Sequence, residues 1–301
     1  MPQPSVLVLV AEPGQNRLRD DLVQRSRLLA GGGEPRWLSS GEAVELSCAP
    51  EDPDALLSDV RDVIGPDAVD ALLVPTANRR KRLLVADMDS TIVRTETLDD
   101  LAVLADRTLG GVGEAVTAIT RRSMNGELDF APALRERVAL LRGLPADTLE
   151  AVWRHTQDSA GARTLVATMR AHGAHTALVS GGFTWFTGRV AERVGFHEHH
   201  ANRLGIGADE RLDGTVGEPI LGRDAKRDTL LRLAAAHGLA AGDAIAVGDG
   251  ANDLAMLGVA GMGIAFHPKP VVANAVRNRV VHGSLRALLF AQGYEAAAFR
   301  D

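Results

Sequence analysis

A four-residue apolar run, Leu83-Leu84-Val85-Ala86, stops at an acid and is followed by Met88-Asp89-Ser90-Thr91. A strand apolar on both faces has to be covered on both sides, which points to the parallel sheet of an α/β protein. In such sheets chemistry gathers beyond the carboxyl ends of the strands, where Asp87 and Asp89 stand. Two acids one residue apart can serve one bound group as nucleophile and proton donor. Alone, such a pair is more often a set of ordinary loop acids, and the downstream sequence decides.

Two further apolar runs end in polar groups. Ala177-Leu178-Val179 leads into Ser180-Gly181-Gly182, and Ala244–Val247 leads into Gly248-Asp249-Gly250-Ala251-Asn252-Asp253. Helical stretches separate them, and Gly261–Ala265 and Arg279–Val281 read as further short strands. The alternation predicts a doubly wound parallel sheet. Several carboxylates at one end of it are costly to assemble without a cation. Oxygen ligands without histidine suit Mg²⁺ better than zinc. The Ser-Gly-Gly turn can aim a hydroxyl and backbone N–H groups at an anion. Lys226, near the start of a helix that Asp224 would cap, adds positive charge. Acids, cation, anion cradle and lysine together describe phosphoryl transfer.

The rest of the chain narrows the setting. Residues 1–80 read as a small α+β unit. Its strands are expected at Ser5–Val10, Ala43–Ser47 and Ala71–Val74, with helices at Asn16–Leu29 and Asp54–Ile64. The basic run Asn78–Arg82 is expected to be a charged linker at the boundary, and residues 81–301 form the second unit. From about 97 to 165, apolar residues such as Leu98, Leu101, Leu134, Val138 and Leu141 recur mostly at helical steps, marking a helical insertion. Gly110–Gly113 follows leucine-rich helix rather than a strand, so it is not a dinucleotide loop. Asn202–Gly217 reads as a hairpin turning at Asp213-Gly214. His197, His199 and His200 are expected on an exposed surface and receive no role. Over 301 residues the net charge is −6, with no basic stripe for nucleic acid. Cys48 is the only cysteine, which excludes an internal disulfide and a thiolate zinc site. The run Val6–Ala11 is a strand rather than a signal peptide, and no stretch reaches the roughly 18 apolar residues of a membrane helix. A cytoplasmic protein of small-molecule chemistry, without nucleic acid or membrane, is expected. Its assembly is open, with a homodimer as one form.

Taken together, Asp87–Thr91 (D-x-D-x-T), Ser180, Lys226 and Gly248–Asp253 (G-D-G-x-N-D) resemble, in order and spacing, the four motifs of the haloacid dehalogenase-like phosphatases. Within that superfamily the chain is most similar to the phosphoserine phosphatases. The likeness is carried by Met88–Thr91 with Glu96, by Ser123–Phe130 and Arg137 in the insertion, and by Val179–Phe183. It implies a haloacid dehalogenase-like core with a helical cap, and an ACT-like amino-terminal unit. It further implies hydrolysis of O-phospho-L-serine to L-serine and phosphate, the last step of serine synthesis. Asp87 would be the nucleophile and Asp89 the acid and base. Mg²⁺ would be held by Asp87, the backbone carbonyl of Asp89 and Asp249, with Asp253 in support. Ser180, Gly181, Lys226 and Asn252 would hold the phosphate. Glu96 would take the substrate's ammonium and Arg137 its carboxylate, while Met124 and Phe130 would close over the site. Two departures stand out. The family's Pro-Gly pair before the second motif's strand is replaced by Ser159-Ala160-Gly161-Ala162, and the amino-terminal unit lacks a glycine-rich ligand turn. Another small phosphomonoester, transfer to an alcohol such as homoserine, and an inactive amino-acid sensor are the competing readings. The intact acids and Lys226 argue against the sensor.

Overall fold

The computed structural model describes residues 2–14, 17–124 and 127–301. The amino-terminal part runs β1 (Ser5–Ala11), α1 (Asp20–Leu29), β2 (Arg36–Ser39), β3 (Ala43–Cys48), α2 (Pro53–Ile64) and β4 (Val69–Pro75). Its antiparallel sheet has the order β2-β3-β1-β4. The β1 strand is apolar throughout because both of its faces are covered. Leu7 and Leu9 pack under α1 and α2, while Val6, Val8 and Val10 join the core of the larger part of the chain. The edge strand β2 has only four residues, too few to show alternation in sequence. Helix α1 begins at Asp20, after Arg19 in extended conformation, rather than at Asn16, which lies outside the described residues.

The larger part opens with β5 (Leu83–Ala86). The helices α3 (Thr97–Leu109), α4 (Val112–Met124), α5 (Phe130–Ala139) and α6 (Asp147–His155) form the insertion. Then come α7 (Ala162–Ala171), β6 (His175–Phe183), α8 (Thr184–Val194), β7 (Glu198–Asn202), β8 (Leu204–Ile206), β9 (Leu212–Val216) and α9 (Arg223–Ala236). The chain finishes through β10 (Ala244–Gly248), α10 (Leu254–Val259), β11 (Met262–Phe266), α11 (Pro270–Ala275), β12 (Asn278–Val280) and α12 (Ala287–Ala291). The main sheet is parallel, in the order β12-β11-β10-β5-β6-β7, so β5 is central. Its side chains alternate between two cores. Leu84 and Ala86 face the side of α7 and α8, and Leu83 and Val85 face α9 and α10. No helix among the described residues is long and apolar enough to cross a membrane.

Both connections to the insertion run side by side. The N–H of Arg94 donates to the carbonyl of Gln157 and that of Ser159 to Ile92, bridging Val93 to Asp158. Two cross-bonded strands form a stiffer hinge than two separate loops. Helix α7 starts at Ala162 behind Gly161, whose φ of +80° and close approach to Arg286 leave no room for a side chain.

Several local expectations change. The run Asn78–Arg82, expected as a charged linker, is pinned by side-chain contacts. Arg79 pairs with the buried Glu45 at 2.7 Å and donates to the carbonyls of Phe290 and Ala291, and the Lys81 ammonium donates to Gly242. Arg79 and Lys81 thus place their charges on three carbonyls and on Glu45, which Arg36 also pairs, while Arg80 lies over the Tyr294 ring. The β8–β9 hairpin turns at Gly207–Arg211, and Asp213-Gly214 lies within β9. Asp213 spends its carboxylate on the N–H and hydroxyl of Thr215, within the strand. Gly222, not Asp224, is the N-cap of α9. Of the three histidines, His197 is exposed, while His199 and His200 are half-buried in β7. There His200 bonds Glu198 and His199 meets the Thr187 hydroxyl.

Candidate active site

The carboxyl ends of β5, β6 and β10 meet at one end of the sheet, and each delivers its polar group through a sharp turn. After β5 the chain makes a single turn closed by the Val93 N–H on the Met88 carbonyl, an i→i+5 bond. Ser90 lies at φ +54° inside it. Wide turns of this kind concentrate at functional sites. The result points Asp87 and Asp89 into one space on different sides. After β10, a Cβ on Gly248 would sit 2.3 Å from the Asp253 carboxyl carbon, so only glycine lets that acid fold back under the loop.

Asp87, Asp249 and Asp253 form a buried trio whose carboxylate oxygens lie within 4.8 Å of one another. Lys226 reaches into it from α9 and sits 2.7 Å from both Asp87 and Asp253, fully buried. Burial works against the lysine's charge, but Asp253 and Asp87 outweigh it and hold its pKa above the ordinary value. Burial, with Asp253 adding repulsion, drives the Asp87 carboxyl well above the usual range despite the pull of Lys226. Burial also raises Asp249, against the pull of Lys269. Three crowded acids facing Lys226 and a Lys269 shared with Glu96 have more carboxylates than ammonium groups, an excess that an added cation would neutralise. Their hard oxygens fit a divalent ion of the Mg²⁺ class. The second oxygen of Asp253 takes the N–H of Gly250, so this acid spends both oxygens on Lys226 and the loop.

Asp89 stands apart from the trio. One of its oxygens accepts the N–H of Thr97, the first residue of α3, and the other faces the Ser180 hydroxyl at 3.4 Å. Burial, reinforced by the nearby Glu96, pushes its carboxyl up to about 7. A carboxyl tuned to that range gives and takes protons at neutral pH. The Ser180 oxygen accepts the Gly182 N–H, and the two glycines leave the turn bare. A Cβ on Gly182 would meet Asp89 at 3.0 Å, and one on Gly181 would meet the Phe130 ring at 2.8 Å. Phe130, at the start of α5, thus lies directly over the β6 turn and also over Gly222.

Glu96 caps α3 and accepts from the Ser90 hydroxyl at 2.8 Å. Arg137 on α5 is half-buried. Among the described residues its guanidinium makes two long bonds, 3.3 Å each, to the Ala133 carbonyl and the Thr120 hydroxyl. Burial lowers its pKa, with Asp99 and Glu96 opposing. A desolvated guanidinium without an ion pair among the described residues is ready for an anion. Asn252 is half-buried and folds its amide oxygen over Gly250. The side chain of Met124, like Asn125 and Gly126, lies outside the described residues. The other residues expected to bind or react, from Asp87 to Asp253, border this one region.

Two contributors were not foreseen. Lys269, at the head of α11, places its ammonium 3.1 Å from Glu96 and 3.2 Å from Asp249. The buried Asn202, at the end of β7, donates to the carbonyls of Gly181 and Leu221 and accepts the Leu221 N–H. It ties the Ser180 turn to the segment leading into the helix of Lys226. Asn202 ends β7, and Lys269 stands three residues beyond the end of β11.

A family model for haloacid dehalogenase-like hydrolases matches residues 84–258. The chain belongs to the haloacid dehalogenase-like hydrolases. Its similarity to a phosphoserine phosphatase of Archaeoglobus fulgidus is 40% identity over 213 residues, covering 71% of this chain and 60% of that protein. The chain spans between about half and two thirds of the length of the first curated relatives it matches. Among solved structures, a haloacid dehalogenase family hydrolase from Salmonella enterica serovar Typhi superposes with a TM-score of 0.83 at 29% identity. That match covers 96% of this chain and 98% of the other. A phosphoserine phosphatase solved as a phospho-aspartyl intermediate analogue superposes at 0.64 with 36% identity, over 70% of this chain and 98% of its own.

Proposed function

We propose that this hydrolase cleaves O-phospho-L-serine to L-serine and phosphate with Mg²⁺, by way of an aspartyl-phosphate on Asp87, as the last step of serine synthesis in the cytoplasm. One observation carries the reading. Two carboxylates from a single turn are held differently, Asp87 against Lys226 and Asp89 against Ser180 with a pKa near 7. That is the division of labour between a nucleophile and a proton carrier. The phospho-aspartyl analogue in a relative and the many phosphoserine phosphatases at about 40% identity lend support.

In this reading an Asp87 oxygen attacks phosphorus, the bond from phosphorus to the serine oxygen breaks, and Asp89 gives that oxygen its proton. Asp89, now ionised, then takes a proton from water. The hydroxide attacks phosphorus, the bond to Asp87 breaks and phosphate leaves. Ser180, Gly181, Lys226 and Asn252 hold the phosphoryl oxygens. Asp87, Asp249 and the Asp89 carbonyl would hold Mg²⁺, with Asp253 behind them. The bound ion supplies charge neutralisation at the phosphoryl group. Glu96 takes the substrate's ammonium and Arg137 its carboxylate, while Phe130, with Met124, excludes water until serine has left. Residues 1–80 we read as an ACT-like unit beside the phosphatase unit, with residues of about 97–165 as its cap.

The test is phosphate release from O-phospho-L-serine with Mg²⁺, comparing wild type with Asp87→Asn and Arg137→Ala. Wild-type turnover is expected, with none from Asp87→Asn. For Arg137→Ala, loss of a charge-assisted, paired contact predicts about a 10- to 100-fold fall in kcat/KM for phosphoserine and little change for an aryl phosphate. Turnover of the aryl phosphate alone would refute the substrate.

A further inference from the structure

Lys269 is absent from the sequence motifs and from the chemistry above, yet it touches both halves of the site. Its ammonium bridges Glu96 and Asp249 at 3.1 and 3.2 Å, and its side chain keeps 37% exposure. Its backbone N–H donates to the Asp249 carbonyl at 3.0 Å, anchoring the residue while the side chain stays free to swing. Pro270 follows at once, at the first position of α11, and fixes the anchor. Among the described residues Glu96 has two partners, Lys269 and the Ser90 hydroxyl, both on one oxygen.

Resting on the proposed function, we propose that Lys269 is a built-in competitor cation that couples the substrate-ammonium position at Glu96 to the metal position at Asp249. A divalent ion drawing on Asp249 and an ammonium drawing on Glu96 must each share a carboxylate with the lysine. Taking up either one loosens half of the double ion pair. Lys269 then leans toward the other carboxylate or into water, a move its exposure permits. The arrangement also sets selectivity. When a phosphate ester without an amino group binds, Lys269 keeps Glu96 neutralised, so such esters escape the penalty of facing an unpaired carboxylate. Removing the lysine charge would restore that penalty and sharpen the preference for amino substrates. Lys269 acts through two other side chains, so it is a positioning residue.

The experiment uses the full chain with Lys269→Met, Lys269→Gln and Lys269→Arg. Mg²⁺ alone is titrated calorimetrically into each, and kinetics are run on O-phospho-L-serine and on its analogue lacking the amino group, 3-phosphooxypropanoate. Partly exposed pairs couple modestly. The two neutral variants should thus bind Mg²⁺ about three- to fivefold more tightly. Their kcat/KM ratio for phosphoserine over the deaminated analogue should rise by a similar factor, mostly through KM, with Lys269→Arg returning both values toward wild type. Unchanged or weakened Mg²⁺ binding in both neutral variants would overturn the competition. Tighter Mg²⁺ binding with an unchanged substrate ratio would overturn the coupling to Glu96. If wild type turns over neither ester, the substrate reading has failed, while the Mg²⁺ titration still judges Lys269 separately.

Discussion

Replacing Asp89 with asparagine should abolish turnover and at the same time make the metal-free protein more stable at alkaline pH. Burial and the repulsion of Glu96 lift this carboxyl from an ordinary 3.8 to about 7. A raised pKa in the folded state means that folding favours the protonated acid. Its stabilising contribution is complete below pH 3.8 and is lost as pH rises through 7. At 1.36 kcal/mol per pH unit, the gap sets a ceiling of about 4 kcal/mol at pH 8. Asp89 keeps a partly open edge, so solvent screening returns some of this, and about 2 kcal/mol is the expected gain for the variant. Asparagine is isosteric, neutral at every pH, and still offers an oxygen to the Thr97 N–H and an amide toward Ser180. Urea unfolding of wild type and Asp89→Asn in EDTA, from pH 5 to 8.5, measures the difference. It should be less than about 1 kcal/mol at pH 5, climb to pH 7 and then level off. A gain independent of pH, or an asparagine variant weaker than wild type at pH 8, would show that Asp89 is not held as a reluctant anion.

Two other substitutions probe the rest of the site. Lys226→Met leaves Asp87 and Asp253 buried without their shared cation. It should cost about 3–5 kcal/mol of stability at pH 8 and less at low pH, and a loss below about 1 kcal/mol in urea titration would contradict the ion-pair account. Gly181→Ala places a methyl 2.8 Å from the tip of the Phe130 ring and should hold the cap ajar. About a tenfold drop in kcat/KM is expected, shrinking when Phe130→Ala is combined with it in a double-mutant cycle. Strict additivity of the two would speak against the contact.

The parts of this fold that were legible in sequence share one property: an apolar run wherever a strand is buried on both faces. Leu83–Ala86, Ala177–Val179 and Ala244–Val247 are such strands, so Asp87, Ser180 and Asp249 could be placed at strand ends before any geometry was known. Asn202 was missed because its strand, Glu198-His199-His200-Ala201-Asn202, lies at the sheet edge and carries no apolar run. Lys269 was missed because it stands three residues past β11, in a Pro-flanked turn that resembles any loop. The contacts that pin Arg79 and Lys81 were not legible because nothing local distinguishes a free basic linker from a fastened one. Their partners, Glu45, Phe290, Ala291 and Gly242, lie far along the chain.

The seam between β4 and β12 bears on how this chain can be trimmed. The Asn278 amide imitates a peptide group, accepting the Leu73 N–H and donating to its carbonyl. Asp70 takes the N–H groups of Val281, His282 and Gly283. Beside them Glu42 clasps Arg286 with both oxygens. In effect the first sheet plugs the open edge of the second. A fragment starting at residue 81 would present that edge to any passing strand, together with the apolar surface that Val6, Val8, Val10, Leu72 and Val74 now cover. Excising the first 80 residues would thus call for a charged or proline-bearing replacement on β12.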